Sequence, residues 1–309
     1  MAVAKKHHRI MISLKQLNYA LAVETHLHFK KAAESCSVSQ SALSTAITEL
    51  ERQLGLQIFE RDNKKVLVTQ VGQQVLAKAR NIALQVEDLN TLSHEQQAPL
   101  SYPISLGVIP TIAPFLLPLV LPELAKKYPK LELQVLEEQS HILVDKVRRG
   151  DIDMAILALP YDCHGLLSFE FWEEDFYWIT HRDDMQSGCT EITADELEHS
   201  KLMLLHDGHC LKDQALSACN MSSESSHKLG ATSLNTLIQL VAGKLGTTLV
   251  PEMALEQLIS GNVLLSKARL SEPGPHRRIA FIARPNFTGV NNIELLMALF
   301  KKQLKAINV

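Results

Sequence analysis

The stretch that decides the fold of the N-terminal region reads Ser39-Gln40-Ser41-Ala42-Leu43-Ser44-Thr45-Ala46-Ile47-Thr48-Glu49-Leu50-Glu51-Arg52-Gln53-Leu54-Gly55. Its apolar side chains recur three and four residues apart, which is the spacing of one face of an α-helix. A serine hydroxyl at the start can accept a hydrogen bond from the first turn, and a glycine can end the helix. The stretch therefore predicts an amphipathic helix with short polar side chains opposite its apolar stripe.

Shorter elements are predicted on both sides of this helix. Apolar positions over residues 14–29 suit a first helix, and residues 30–35 suit a short second helix. Residues 59–69 read as two short strands around a polar, basic turn, which would form a wing. Together these elements predict a winged helix-turn-helix over residues 14–72, with the helix-turn-helix at about residues 29–48.

The polar face of the long helix predicts a nucleic-acid partner, because the second helix of such a pair enters the major groove of DNA. The residues predicted to face base edges are Gln40, Ser41, Ser44, Thr45 and Thr48. Phosphate contacts are predicted from Ser39 and the helix start and from the wing residues Arg61, Lys64 and Lys65. Each residue taken singly could be merely solvated, and it is their combination that predicts double-stranded DNA.

The charge distribution points the same way. Residues 1–72 hold ten Lys and Arg against six Asp and Glu, a net +4, within a chain whose net charge is −3. A basic N-terminal region on an acidic body favours contact with a polyanion, although an excess of this size is weak evidence on its own.

Composition and cysteine usage predict a cytoplasmic protein with no membrane association. The 309 residues contain no uninterrupted apolar run of about 18 residues, the length that predicts a membrane span. Residues 1–13 are predicted to be a flexible basic tail, and no apolar signal-peptide core follows them. Five scattered cysteines do not form a secreted disulfide framework. Any disulfide is therefore expected to be transient.

The rest of the chain reads as a helix followed by an α/β region. Residues 73–97 are predicted to be a dimerising linker helix, whose heptad-like apolar seam consists of Val75, Ala79, Ile82, Val86 and Leu89. From Pro99 onward strands alternate with helices in the βαβαβ order of a parallel sheet. Residues 98–309 are therefore predicted to be a regulatory domain of two α/β subdomains, at about 100–173 with 277–309 and at about 174–276.

Within this domain, helices are predicted over residues 140–149 and 292–307, and a strand over residues 202–205. Ligands of open parallel sheets bind beyond the carboxyl ends of the strands, near helix N-termini. That rule selects Thr111, Ser140, the stretch 206–210 and Thr232-Ser233. Each of them could be only a helix cap, and for the last pair a cap is at least as good an explanation.

Two cysteines near the last of these strands form a candidate redox pair. Leu211, Ala215 and Ala218 follow Cys210 at helical spacing, so Cys210 is predicted at or near a helix start. Unpaired N–H groups there, with His209 or Lys212 nearby, would lower the pKa of its thiol.

Cys219 follows nine residues later. Nine residues of helix rise about 13.5 Å, whereas a disulfide needs Cα atoms about 4.4–6.8 Å apart. If the helix is real, the pair can close only when the segment rearranges, as a redox sensor requires. Spacing alone also allows two unrelated buried cysteines. A metal site at His206, His209 and Cys210 fits no common zinc spacing.

The N-terminal pattern resembles the DNA-binding domain of LysR-type transcriptional regulators. The residues that carry the resemblance are Phe29-Lys30-Lys31-Ala32-Ala33, Ser39 to Ser44, Ile47, Leu50-Glu51, Leu54-Gly55, Phe59-Glu60-Arg61, Thr69 and Gly72. The resemblance implies a linker helix that pairs two subunits and an effector domain of the periplasmic-binding type. Residues 150–156 match the second signature of that family.

Residues 205–219 and 231–234, with 109–111 and 139–141, resemble the redox centre of the peroxide-sensing members of this family. The resemblance implies that Cys210 is the peroxidatic thiol and Cys219 the resolving thiol. It also implies that peroxide binding or thiolate support comes from Thr111, Ser140, His209 and Asp213. Ser140 is a departure, because these members usually carry Thr there. Cys36, Cys163 and Cys189 have no partner pattern and read as incidental.

The implied protein is a regulator of oxidative-stress genes and not an enzyme, with no cofactor or metal. Its implied partners are promoter DNA, hydrogen peroxide, further copies of itself as a dimer or tetramer, and RNA polymerase. A LysR-type regulator that answers a small organic effector, with inert cysteines, remains an alternative. A thiol peroxidase or a solute-binding protein would not need the DNA-reading pattern of residues 29–72.

Overall fold

The structure is a computed structural model that describes residues 11–62, 65–95, 98–185, 189–198, 200–221 and 229–306. Lys64 and most of the predicted tail lie outside these residues, as does the side chain of Arg61. The chain forms two compact units, residues 1–91 and 92–309.

The first unit contains the predicted helices and hairpin. Its elements are α1 (Leu14–His26), α2 (Phe29–Ser35), α3 (Gln40–Leu54), β1 (Phe59–Asp62), β2 (Lys65–Val68) and the start of α4 (Gln70–Glu95). Ser39 caps α3, since its Oγ accepts a hydrogen bond from the Ala42 N–H at 3.2 Å. Gly55 ends the helix at φ +66°, a conformation that favours glycine. The prediction for this stretch is confirmed.

The predicted linker helix exists as α4, but its apolar seam is divided between two environments. Val75 and Ala79 pack into the core of the first unit, together with α1 and α3. Ile82 and Leu89 are 43% and 64% exposed. Only the second half of the seam is therefore available to another copy of the chain.

The second unit begins with a five-stranded sheet in the order β4-β3-β5-β11-β6. Its strands are β3 (Ile104–Val108), β4 (Leu133–Glu137), β5 (Met154–Leu159), β6 (Leu167–Glu174) and β11 (Arg277–Ala283), and its helices are α5 (Ala113–Lys127), α6 (Ser140–Arg149) and α11 (Val290–Lys305). β3 pairs with β4 and β5 in parallel, as predicted, whereas β11 is antiparallel to both of its neighbours. This sheet and its helices are the first subdomain.

A four-stranded sheet in the order β8-β10-β7-β9 forms the second subdomain. Its strands are β7 (Phe176–His181), β8 (Glu191–Ile192), β9 (Thr248–Pro251) and β10 (Leu265–Leu270), with helices α7 (Ala194–Glu198), α8 (Cys210–Ala218), α9 (Leu234–Ala242) and α10 (Leu255–Leu258). The strand predicted at residues 202–205 is wrong, because only isolated bridges from Leu202 to Thr247 and from Leu205 to Ala231 form there. All four residues are nevertheless buried, which explains the apolar run.

Two crossovers connect the subdomains. The chain passes from the first sheet to the second between Glu174 and Phe176 and returns between Leu270 and Arg277. Each subdomain has its own apolar core, and the two redox candidates are divided between them, since Cys210 packs in the first core and Cys219 in the second. Across the described ranges, no helix has the length and apolar character needed to span a bilayer.

Candidate functional site

Cys210 is the first residue of α8, as predicted, and points away from the core of its own subdomain. Leu211 and Ala215 pack in the second core, whereas the Cys210 side chain is buried in the first. His209 is the N-cap, but its side chain makes no capping hydrogen bond. The start of α8 therefore carries a single thiol across the boundary between the two subdomains.

Burial dominates the electrostatics of this thiol and raises the pKa of Cys210 above its ordinary value. The Ser140 hydroxyl, the Arg277 charge and the Ala158 backbone act in the opposite direction, and the Asp213 charge adds to the rise. The predicted lowering of the pKa is therefore wrong for this conformation, because the loss of water outweighs the help that a helix start gives.

Ser140 lies where the strand-end rule places it, at the first residue of α6, and is almost fully buried. Its hydroxyl favours the Cys210 thiolate. Within the described part of the chain, the oxygen meets no partner in full hydrogen-bonding geometry. The hydroxyl therefore lies near the Cys210 sulfur without a well-aligned hydrogen bond. Proximity is enough to stabilise the thiolate charge, whereas a hydrogen bond also needs alignment.

Thr111 enters the site through a buried arginine. Arg277 donates from Nη1 to Thr111 Oγ1 at 3.4 Å and from Nη2 to the Thr111 carbonyl at 3.3 Å. Its Nε donates to Glu174 Oε1 at 2.6 Å, and neither side chain of this ion pair is exposed. Sequence reasoning missed both residues. The only local signal is a charged residue at the edge of an apolar strand.

His209 is buried beside Cys210, and its burial disfavours the charged imidazolium. Burial, and then the charge of His206, lower its pKa. Its Nε2 lies 3.5 Å from Nε2 of Gln139, at the end of the first subdomain's loop before α6. Gly208 has φ +94°, and a Cβ there would lie 2.6 Å from Gln139 Oε1. Glycine suits this position because of its positive φ, and a larger residue would also displace the Gln139 amide.

The remaining charged candidates are exposed or paired with another side chain. Lys212 binds Asp207 at 2.6 Å. Asp213 is exposed on α8, and its negative charge raises the pKa of Cys210, so in this conformation it does not support the thiolate as the resemblance implied. His206 is also exposed. In the residues that the structure describes, no three His, Cys, Asp or Glu side chains converge as metal ligands.

Gln214 is a further polar residue that sequence reasoning missed. It is buried one turn after Cys210 and donates from Nε2 to the Ala158 carbonyl at 2.9 Å, which ties α8 to β5. Ser233, by contrast, accepts a hydrogen bond from the Thr236 N–H and so caps α9, and Thr232 is exposed. The cap explanation for Ser233 is confirmed.

Cys219 occupies the opposite end of α8, where it is the C-cap residue. Burial and the charge of Glu272 raise its pKa to about 12. Both cysteines are free thiols. Because α8 is an intact helix between them, their Cα atoms are separated by about 13.5 Å along its axis. No disulfide can form without a change in this helix.

A second candidate site is the polar face of α3. Ser39, Gln40, Ser41, Thr45 and Thr48 are exposed, and Ser44 is half-buried. The opposite face carries the fully buried Leu43, Ile47 and Leu50. Lys65 is exposed on β2, and Arg61 lies in β1 opposite Val66. The predicted DNA-reading residues thus share one accessible face of the helix.

Comparisons with known proteins show the family of both domains. Residues 14–73 match the bacterial regulatory helix-turn-helix protein model of the lysR family, and residues 97–305 match the LysR substrate binding domain. The HTH-type transcriptional regulator EstR of Acinetobacter baylyi is 40% identical over 94% of this chain and 96% of its own length. A probable hydrogen peroxide-inducible genes activator of Streptomyces viridosporus is 37% identical over 96% of both.

The DNA-binding transcriptional dual regulator OxyR of Escherichia coli is 35% identical over 89% of this chain and 90% of its own. A cysteine-to-aspartate variant of full-length OxyR from Pseudomonas aeruginosa superposes with a TM-score of 0.78 at 31% identity, covering 94% of this chain and 95% of that one. A peroxide-bound mutant of Corynebacterium glutamicum OxyR gives a TM-score of 0.66 at 33% identity, with coverages of 96% and 94%. The chain therefore belongs to the LysR family of bacterial transcriptional regulators, and within it resembles OxyR.

Proposed function

We propose that this regulator senses hydrogen peroxide through Cys210 and converts the signal into a Cys210–Cys219 disulfide that changes how it acts on promoter DNA. One observation carries the proposal. The Cys210 thiol, at the start of the intact helix α8, is buried beside the Ser140 hydroxyl and the Arg277 guanidinium, and the Cys219 thiol lies at the far end of the same helix. The names of several relatives, hydrogen peroxide-inducible genes activators, support it.

The chemistry needs only peroxide and the two thiols. The Cys210 thiolate attacks one peroxide oxygen, so that an S–O bond forms, the O–O bond breaks and the second oxygen leaves as hydroxide, which takes a proton to become water. Cys210 is thereby oxidised to a sulfenic acid. The Cys219 thiol then attacks this sulfur, which forms the disulfide and releases the sulfenic oxygen as water. A dithiol reductant converts the disulfide back to two thiols.

In this scheme the site residues have distinct roles. The hydroxyls of Thr111 and Ser140 would hold the peroxide oxygens, and Arg277 would stabilise the thiolate. His209, whose pKa is lowered by burial, would donate a hydrogen bond from its ring N–H to the leaving oxygen. Asp213 is exposed here, so any supporting role for it belongs to a rearranged α8.

Disulfide formation would release both cysteines from their present cores. Cys210 would leave the first core and Cys219 the second, and α8 would unwind between them. Such a change alters the packing between the subdomains. In a dimer or tetramer held by α4, it would reposition the helix-turn-helix domains on two half-sites and change the contact with RNA polymerase in the cytoplasm.

The test is a titration with one equivalent of hydrogen peroxide followed by peptide mass mapping without reduction. We expect a Cys210–Cys219 linkage in the wild type and none in Cys210→Ser. Cys163→Ser is the matched control, since Cys163 is a partly buried thiol beside the same core and should not affect the linkage. Peroxide-dependent promoter activation that survives Cys210→Ser would overturn the proposal.

A second candidate is a LysR regulator that answers a small organic effector. The raised pKa of Cys210 favours it, because a protonated thiol reacts slowly with peroxide. EstR, which is 40% identical, also carries no mention of peroxide in its name. Slow reaction with excess peroxide, together with unchanged DNA binding after oxidation, would select this alternative.

A further inference from the structure

A buried ion pair joins the Cys210 pocket to the two crossovers between the subdomains. Glu174 is the last residue of β6 and Arg277 the first of β11, and the two are register partners in the sheet. Their Nε–Oε1 distance is 2.6 Å, and both side chains are wholly buried. A buried pair of charges keeps such a position only when each group is fully hydrogen-bonded.

Both members of the pair have further partners, which lie on opposite sides. Arg277 uses its two terminal nitrogens on Thr111. Glu174 uses its second oxygen to accept a hydrogen bond from the Met253 N–H of the second subdomain at 2.8 Å. The carboxylate is therefore fixed by two donors, and the guanidinium has one orientation that satisfies all of these contacts.

We infer that Glu174 is a positioning residue that holds the Arg277 guanidinium against Thr111 at the Cys210 pocket. The inference rests on the proposed redox role of Cys210. Without Glu174, the Arg277 Nε–H would lose its carboxylate partner at 2.6 Å, and the guanidinium would be held by its longer contacts with Thr111, at 3.3 and 3.4 Å. Contacts of that length are too weak to fix its position against Thr111.

Displacement of Arg277 would remove part of the electrostatic stabilisation of the Cys210 thiolate. The positive charge of Arg277 lowers the pKa of Cys210, whereas the negative charge of Asp213 raises it. Burial, and then the charge of Cys210, raise the pKa of Tyr161, and burial lowers the pKa of His209. Neither group therefore replaces the positive charge of Arg277. Removing the guanidinium should therefore lower the fraction of thiolate at any given pH.

Glu174→Gln is the sharpest test, because glutamine has one acceptor oxygen where the Arg277 Nε–H and the Met253 N–H need two. Alkylation of Cys210 by monobromobimane, followed on its own peptide by mass spectrometry across pH, should shift to higher pH. A shift of half a pH unit corresponds to about a threefold slower reaction at pH 8. Glu170→Gln is the matched control, since Glu170 pairs with Arg278 on the exposed side of the same strands and should leave the profile unchanged.

The mechanism through Arg277 has its own signature. In an Arg277→Gln background, Glu174→Gln should add no further shift. Glu174→Asp, which keeps the charge but withdraws the carboxylate, should give a smaller shift in the same direction, and it decides the question if Glu174→Gln does not fold. A wild-type profile in a folded variant would overturn the inference. Alkylation uses no peroxide, so a shifted profile in a protein that ignores peroxide would reject only the proposed function.

Discussion

At the scale of single residues, the sequence predicts the parts of the site that follow strand ends. Thr111 and Ser140 come three residues after the ends of the parallel strands β3 and β4, so a rule about strand ends finds them without a structure. Glu174 and Arg277 have no such local signal. They are 103 residues apart and meet because β6 and β11 are neighbours in the sheet. Pairing over that distance is a property of the fold.

Burial of the thiols predicts a pH dependence of stability. Because Cys219 has a pKa raised to about 12, the folded chain keeps its proton after an unfolded thiol, with a pKa of about 8.5, has lost it. The free energy of unfolding should therefore fall as pH rises from about 8.5 to about 12, by at most about 1.4 kcal/mol per pH unit for this group. Denaturant unfolding of the wild type and Cys219→Ser should show the difference, and parallel curves would contradict it.

We expect the Cys210 pocket to be sensitive to a methyl group added at Gly208. Gly208→Ala should place a Cβ 2.6 Å from Gln139 Oε1, at a backbone φ of +94° that disfavours alanine. We expect a loss of about 1–3 kcal/mol in stability and an altered rate of Cys210 alkylation, because Gln139 also contacts His209. Gly261→Ala is the control, since it has φ +96° with open space around it. If Gly208→Ala and Gly261→Ala changed the alkylation rate equally, backbone strain and not the contact with Gln139 would be the cause.

At the scale of elements, the sequence predicts helices better than strands. Residues 140–149 are helical as predicted, because an amphipathic stripe leads to Gly150 in the left-handed conformation. The run Leu202–Leu205 is apolar enough for a buried strand, yet it makes only isolated bridges. β10 was not predicted, although it pairs with both β7 and β8. A strand depends on partners that its own residues do not reveal.

We expect the stability of α8 to set part of the barrier to disulfide formation. A substitution in α8 away from the two cysteines should then change the rate of closure. Ser217 is exposed near its C-terminal end. Alanine at this position favours helix, whereas glycine disfavours it by about 1 kcal/mol relative to alanine. If closure requires α8 to unwind, Ser217→Gly should form the disulfide up to about fivefold faster than Ser217→Ala. Quenched-flow thiol trapping after peroxide would measure both rates, with the sulfenic acid step as the internal control. Identical closure rates would mean that α8 stays helical.

At the scale of the whole molecule, the signal must pass from the second unit to the first, and α4 is the covalent connection. Leu76 and Ala79 of this helix belong to the core of the DNA-reading unit and Val75 packs against it, whereas the later apolar residues are exposed or half-buried. An exposed apolar side chain on a helix is stabilised by pairing with another copy. We therefore expect one helix to serve both as part of a domain core and as a dimer contact.

Ile82→Glu should test this division. Ile82 is 43% exposed and lies at an apolar pocket that Leu14 and Leu17 also line, outside the buried core of the first unit. We expect a carboxylate there to leave that core in place but to put like charges against each other in a dimer. We expect a higher dimer dissociation constant by sedimentation and a weaker affinity for a two-half-site operator, by at least about tenfold, because each half-site then binds nearly independently. Ala77→Glu, exposed on another face of α4, adds the same charge away from the seam and should preserve dimer and affinity. If Ile82→Glu remained a dimer with full operator affinity, the contact between subunits would have to lie outside α4.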